Sequence, residues 1–115
     1  LGLSGVERQW QVRRLLASAH LASLGTHSRV ILAGDTNDWS GKLARPRGAL
    51  RKAGVASAHG THKGPPKTFP AWMPVAGLDR FYFNGPITCR SAYRSAFSLA
   101  RRASDHLPLV VDIDL

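Results

Sequence analysis

Apolar and polar positions alternate along the chain with periods that change from segment to segment. From about Gly5 to Leu24, Trp10, Leu15, Leu16, Ala19 and Ala22 recur at helical spacing with Arg8, Arg13 and Arg14 between them, which predicts one amphipathic helix. Ser4-Gly5-Val6-Glu7 reads as a capping box at its start, and Gly25 suits a C-cap. Val30-Ile31-Leu32-Ala33 is a continuous apolar run ending in Gly34, the signature of a strand buried on both faces, with Asp35 emerging at its C-terminal end. "ALRKAGV" predicts a short helix stopped by Gly54. Residues 58–74 are rich in Gly, Pro, His and Lys without periodicity and read as a long basic loop. "LDRFYF" has strand composition, and Asn84-Gly85 marks a tight turn into a hairpin partner around Ile87 to Tyr93. "SAFSLARRA" is a polar, basic connection. The chain closes on a half-exposed strand in which Leu109, Val111, Ile113 and Leu115 alternate with Val110, Asp112 and Asp114. The order of elements predicts an α/β (α+β) unit, a mixed β-sheet with helices on one face, with Tyr82 and Phe83 in the core.

The 115 residues suit one small domain, and no apolar run approaches the roughly 18 residues that span a bilayer. One cysteine, Cys89, excludes an internal disulfide and favours a cytoplasmic location. Charge narrows the partners: 16 Lys and Arg against seven acids give +9, a balance that suits a polyanion such as nucleic acid, a phosphorylated small molecule or an anionic lipid. Acids are scarce, and Asp35, Asp79 and Asp105 each stand in a short motif at a strand end.

Each motif has two readings. In Gly34-Asp35-Thr36-Asn37-Asp38, an extended backbone would direct Asp35 and Asn37 to one side, where a carboxylate and an amide position a water and hold a phosphoryl oxygen or a hard cation. An Asx turn would explain the same residues. In Leu78-Asp79-Arg80, an Asp inside an apolar strand needs a partner, and Arg80 would serve as a salt bridge. In Ser104-Asp105-His106-Leu107-Pro108, a carboxylate that fixes the tautomer of His106 would prepare it for work on a reacting group. Adjacent side chains on an extended segment point apart, so Asp79 is a better partner for His106 than Asp105 is.

The set G-D-x-N, then L-D-R before an aromatic strand, then S-D-H-x-P before a closing strand resembles the endonuclease/exonuclease/phosphatase superfamily. The opening Leu1-Gly2-Leu3 with its following helix, and "TFPAW" ahead of "LDR", are similar to that family as well. The resemblance implies half of a four-layer α/β sandwich, with residues 1–115 as the C-terminal half of the domain. It implies a metal-dependent hydrolase acting on phosphodiester or phosphomonoester bonds. Asp35 would orient or deprotonate the attacking water, Asn37 would hold it, Asp79 would orient His106, and His106 would contact the phosphate. Asp105, with Asp35 and Asn37, would bind Mg²⁺ (or Mn²⁺). Arg80 and Trp72 are candidate substrate contacts, and the substrate could be nucleic acid, phospholipid or inositol phosphate. The first-half Asn and Glu and a His before Leu1 are missing, which implies that the missing N-terminal half is a required partner and that the chain alone is poorly soluble and inactive. A non-catalytic basic nucleic-acid-binding module and a degenerate remnant are the alternatives. His20 and His27 are expected to be solvated or satisfied structural residues, and His59 and His62 beside Lys63 and Lys67 suggest a plain solvated loop or a phosphate-steering one.

Overall fold

The computed structural model describes residues 1–25, 27–45, 47–52, 54–58 and 64–115. The expected loop histidines His59 and His62, with Lys63, lie outside the described residues.

The N-terminal helix starts where its cap predicts. Helix α1 spans Gly5–Leu16 with Ser4 as N-cap, its hydroxyl accepting from the Glu7 N–H at 3.0 Å. The reciprocal half of the capping box is replaced: the Glu7 carboxylate accepts from Gln11 Nε2 at 3.3 Å. The single helix expected to run to Leu24 is two. Ser18 adopts an extended conformation and caps a second short helix, α2 (Ala19–Ala22). A serine side chain that competes with the backbone ladder accounts for the break. The apolar face also differs from expectation. Val12 is buried and Leu16 packs beside it, whereas Trp10 is 60% exposed with the Arg14 guanidinium 5.6 Å from its ring. Arg8 is buried, its guanidinium donating to the carbonyls of Gly2 and Leu3.

Strand β1 (Val30–Asp35), helix α3 (Ala49–Lys52), strand β2 (Ala56–Ser57) and strand β3 (Asp79–Asn84) follow. Gly54, at φ +75°, ends α3 as predicted, and Val55 N–H returns to the Leu50 carbonyl at 3.0 Å. The first sheet has the order β1-β3-β2, antiparallel throughout. The second sheet joins β4 (Thr88–Arg94) to β5 (Leu109–Asp114), also antiparallel, with a register shift between Cys89 and Ser91. Helix α4 (Ser98–Ala103) lies between them in sequence, where the polar connection was expected. The α+β class holds. The hairpin of β3 with β4 does not: the turn at Gly85 is present, at φ +90°, but β1 and β2 already hold both edges of β3, so β4 pairs with β5 instead.

The first sheet carries the main core on one face, while Phe83 is buried on the other. Tyr82 and Leu32 point toward α1 and α3, joining Val12, Leu43, Ala49, Leu50 and Val55 in the main core. The strand β1 expected to be covered on both faces is covered on one. Ile31 is 43% exposed and Ala33 is exposed with it, because two-residue alternation carries both to the opposite face from Leu32. His20 and His27 are exposed, as expected. Among the described residues no helix is long and apolar enough to cross a membrane.

The core assignment yields a paired prediction. Leu50→Ala, at a fully buried position, is expected to cost about 2–5 kcal/mol, and Trp10→Ala under about 1 kcal/mol. Both are read by denaturant unfolding, and equal losses would contradict the assignment.

Candidate active site

The β1–β3 ladder ends on an unusual pair. Its register sets Asp35 directly opposite Asp79, so two carboxylates leave the same face of the sheet side by side. Like charges in that position repel each other and require a cation or a proton donor between them. His106 fills this place. Its Nδ1 donates to Asp79 Oδ2 at 2.7 Å, and its Nε2 lies 3.9 Å from Asp35 Oδ2. The anticipated pairing of Asp79 with His106 is therefore present, and among the described residues no ion pair joins Asp79 to Arg80.

The histidine is delivered by the segment that leads into β5, not by the first sheet. That segment is stitched down by the loop before β3: Leu107 N–H donates to the Thr68 carbonyl at 2.8 Å, and Ala71 N–H to the Asp105 carbonyl at 2.7 Å. Thr68 is fully buried and also donates its hydroxyl to Asp79 Oδ2 at 2.5 Å. The ring of Phe69 lies against the imidazole, centroids 4.9 Å apart. Thus Thr68 and Phe69, neighbours in "TFP", hold the acid and the ring respectively. The one sign of Thr68 in the sequence is its position in "TFPAW" ahead of "LDR".

Burial of the imidazole disfavours its charged form, but the hydrogen bond to Asp79 and the charges of Asp79, Asp35 and Asp105 outweigh burial. The net effect raises the His106 pKa above its ordinary 6.5. Its Nε2–H has no short partner, the nearest carboxylate oxygen being Asp35 Oδ2 at 3.9 Å.

Asp35 and Asn37 come together by a different route from the one expected. Asn37 is not extended: at φ +49° it turns, and its N–H donates to Asp35 Oδ1 at 2.8 Å. The pair is joined by an Asx turn, through the Asn37 backbone. The Asn37 amide donates to the Leu1 carbonyl at 2.6 Å, and the Leu1 amino group donates to the Asp35 carbonyl at 3.0 Å. Asp38, fully buried, accepts from the N–H groups of Lys42 at 3.0 Å and Leu43 at 2.9 Å, which fixes the loop after the site.

The two expected substrate contacts, Arg80 and Trp72, differ in exposure. Arg80 is buried, with Nε donating to the Gly77 carbonyl and Nη2 to the Asp38 carbonyl, both at 3.0 Å, so it braces two site loops. Trp72 is 73% exposed on the turn that Phe69 and Ala76 close. Asp105 is exposed beside His106. A groove of about 480 Å³ runs past Asp79, Phe81, His106 and Leu109.

Asp35, Asn37 and Asp105 were the expected metal ligands. Among the described residues no group of three or more His, Cys, Asp or Glu side chains could hold a metal ion. Asp35 and Asp105 bring two carboxylates and Asn37 an amide oxygen, the hard type of donor that Mg²⁺ or Mn²⁺ takes together with water.

The family model described as "Endonuclease/Exonuclease/phosphatase family" matches residues 2–106. The chain belongs to that family. Its members generally depend on a divalent metal. The uncharacterized protein YbhP of Escherichia coli K12 is 34% identical over 121 residues, covering 100% of this chain and 44% of YbhP. YbhP of Shigella flexneri matches equally. The crystal structure of a humanized D. rerio TDP2 superposes with a TM-score of 0.68 at 22% identity, covering 96% of this chain and 49% of that one, which establishes the shared fold. The chain thus spans less than half the length of the curated relatives it matches.

The charge arrangement predicts the titration of His106. Because its folded pKa is raised, its stabilising contribution is complete below about 6.5 and is lost as pH climbs through the folded value. An NMR titration of the ring should give a midpoint above 6.5, which falls in Asp79→Asn. A midpoint unmoved by that substitution would contradict the pairing.

Proposed function

We propose that this chain carries the acid–base half of a phosphoester-hydrolysing centre. The hydrogen bond from His106 Nδ1 to Asp79, with Asp35 on the far side of the ring, is the observation that supports this most. A carboxylate at Nδ1 fixes which nitrogen carries the outward proton and stabilises the imidazolium. Nε2–H, 3.9 Å from Asp35 and so without a strong bond to it, is available to a phosphoryl oxygen and to the charge that grows there during displacement. Asp35 would orient or deprotonate the attacking water, and the turned amide of Asn37 would help hold it.

A divalent cation, Mg²⁺ or Mn²⁺, enters this reading in a restricted form. Asp35, Asn37 and Asp105 offer oxygen atoms of the hard type such ions favour, and water, substrate oxygens and residues outside this chain would complete the shell. A second half of the domain is thus part of the proposal. The length of the relatives supports it, and so does the open face of β1 with Ile31 and Ala33, which a packed partner layer would cover.

The test is hydrolysis of phosphodiester and phosphomonoester substrates by the full-length protein with added Mg²⁺. His106→Ala is expected to lower kcat by about 10²–10³, the loss of one donor to developing charge. Asp79→Asn should lower kcat more than it changes KM. The 115-residue chain alone is expected to show no turnover. Full activity in His106→Ala would refute the reading. Salt-sensitive DNA binding without turnover, unchanged in Asp35→Ala and His106→Ala, would favour the basic binding module instead.

A further inference from the structure

Trp39 is placed in a way that the proposed hydrolysis does not use. Its indole is 60% exposed, yet the loop beneath it is tightly held. The Asp38 carboxylate binds the next turn through Lys42 and Leu43 N–H, the Asp38 carbonyl accepts from Arg80 Nη2 at 3.0 Å and from Gly41 N–H at 3.2 Å, and Trp39 N–H itself donates to the Asn37 carbonyl at 3.2 Å. A fully buried carboxylate and a buried guanidinium therefore hold a large apolar ring in water. That ring also reaches the proposed reacting centre. Trp39 meets Phe69 at 6.0 Å with the ring planes 84° apart, and Phe69 in turn lies 4.9 Å from His106. Perpendicular rings do not stack on each other, so the indole keeps surface for a third flat group. Exposed cations, Lys42, Arg45 and Arg47, follow on the same loop.

We propose that Trp39 is a stacking platform for a nucleobase next to the scissile phosphate, which makes a nucleic-acid strand the substrate class. The inference rests on the phosphoester reading of the same site and adds the part of the substrate that His106 does not touch. Every base offers a π-face, and stacking on an aromatic side chain beside a cationic track is how single strands are held without sequence preference. A pre-positioned ring loses little freedom on binding, so the rigid loop makes the platform efficient. Phe69 acts here as a positioning residue, setting the indole relative to the imidazole.

The test is equilibrium binding, read by fluorescence anisotropy and independent of turnover. The full-length protein carries Asp35→Asn to prevent cleavage while leaving Phe69 and His106 in place. The probes are a labelled single-stranded oligonucleotide and a baseless sugar-phosphate strand of the same length. The base-bearing strand should bind ~10-fold more tightly, the size of one good stacking contact. Trp39→Leu should abolish that preference and leave the baseless affinity unchanged, and Trp39→Phe should retain most of it. Circular dichroism confirms that each variant is folded. A protein that binds both strands equally, or a preference that survives Trp39→Leu, overturns the proposal. So does the membrane outcome, in which Trp39→Leu weakens partitioning onto phosphatidylglycerol vesicles and leaves oligonucleotide binding untouched. Hydrolysis by the unsubstituted protein is measured separately, so a failure of the phosphoester reading is distinguishable from a failure of the platform.

Discussion

Two carboxylates that face each other across a strand pair create a constraint that the surrounding structure must answer. Asp35 and Asp79 are brought together by the β1–β3 register, and register cannot slip by one residue without turning every core side chain of β3 outward. Tyr82, buried on the opposite face, fixes that register. The repulsion at the end of the ladder is thus built in by the core, and the His106 ring relieves it. This is why the imidazole favours its proton despite partial burial, and why the fold keeps the segment before β5 pinned to the loop before β3.

Asp79 is the junction of these demands. A single oxygen, Oδ2, receives both the Thr68 hydroxyl and the imidazole Nδ1, so one carboxylate links β3, the "TFP" loop and the entry to the second sheet. Arg80, pointing to the other face, does the matching task for the backbone by bridging Gly77 and Asp38. Adjacent residues of one strand therefore serve the two sides of the site: Asp79 orients the chemistry, and Arg80 steadies the loops that carry Asp35, Asn37 and Trp39.

Much of this was legible in the sequence because it follows from local rules. Ser4 announced a helix start, Gly54 a helix end, and the inability of neighbouring side chains to face each other pointed His106 away from Asp105 and toward Asp79. What was not legible depended on tertiary context. Two residues, Ala56 and Ser57, form β2 with no pattern long enough to detect, and their presence at the edge of β3 diverts β4 to another sheet. Arg80 read as a salt-bridge partner of Asp79 or a substrate contact because nothing local reveals two carbonyls waiting inside. Trp10 read as core because helical spacing alone does not say which face a helix presents. Asn37 read as extended because the motif does not declare a positive φ.

The central claim is that Asp79 and His106 act as one unit. A double-mutant cycle measures this directly, with unfolding free energies of Asp79→Asn, His106→Ala and the double variant compared with the parent protein below pH 6.5. The account predicts a coupling of about 0.5–3 kcal/mol, as found for residues in direct contact, shrinking as pH rises through the His106 pKa. Strictly additive losses at every pH would contradict it.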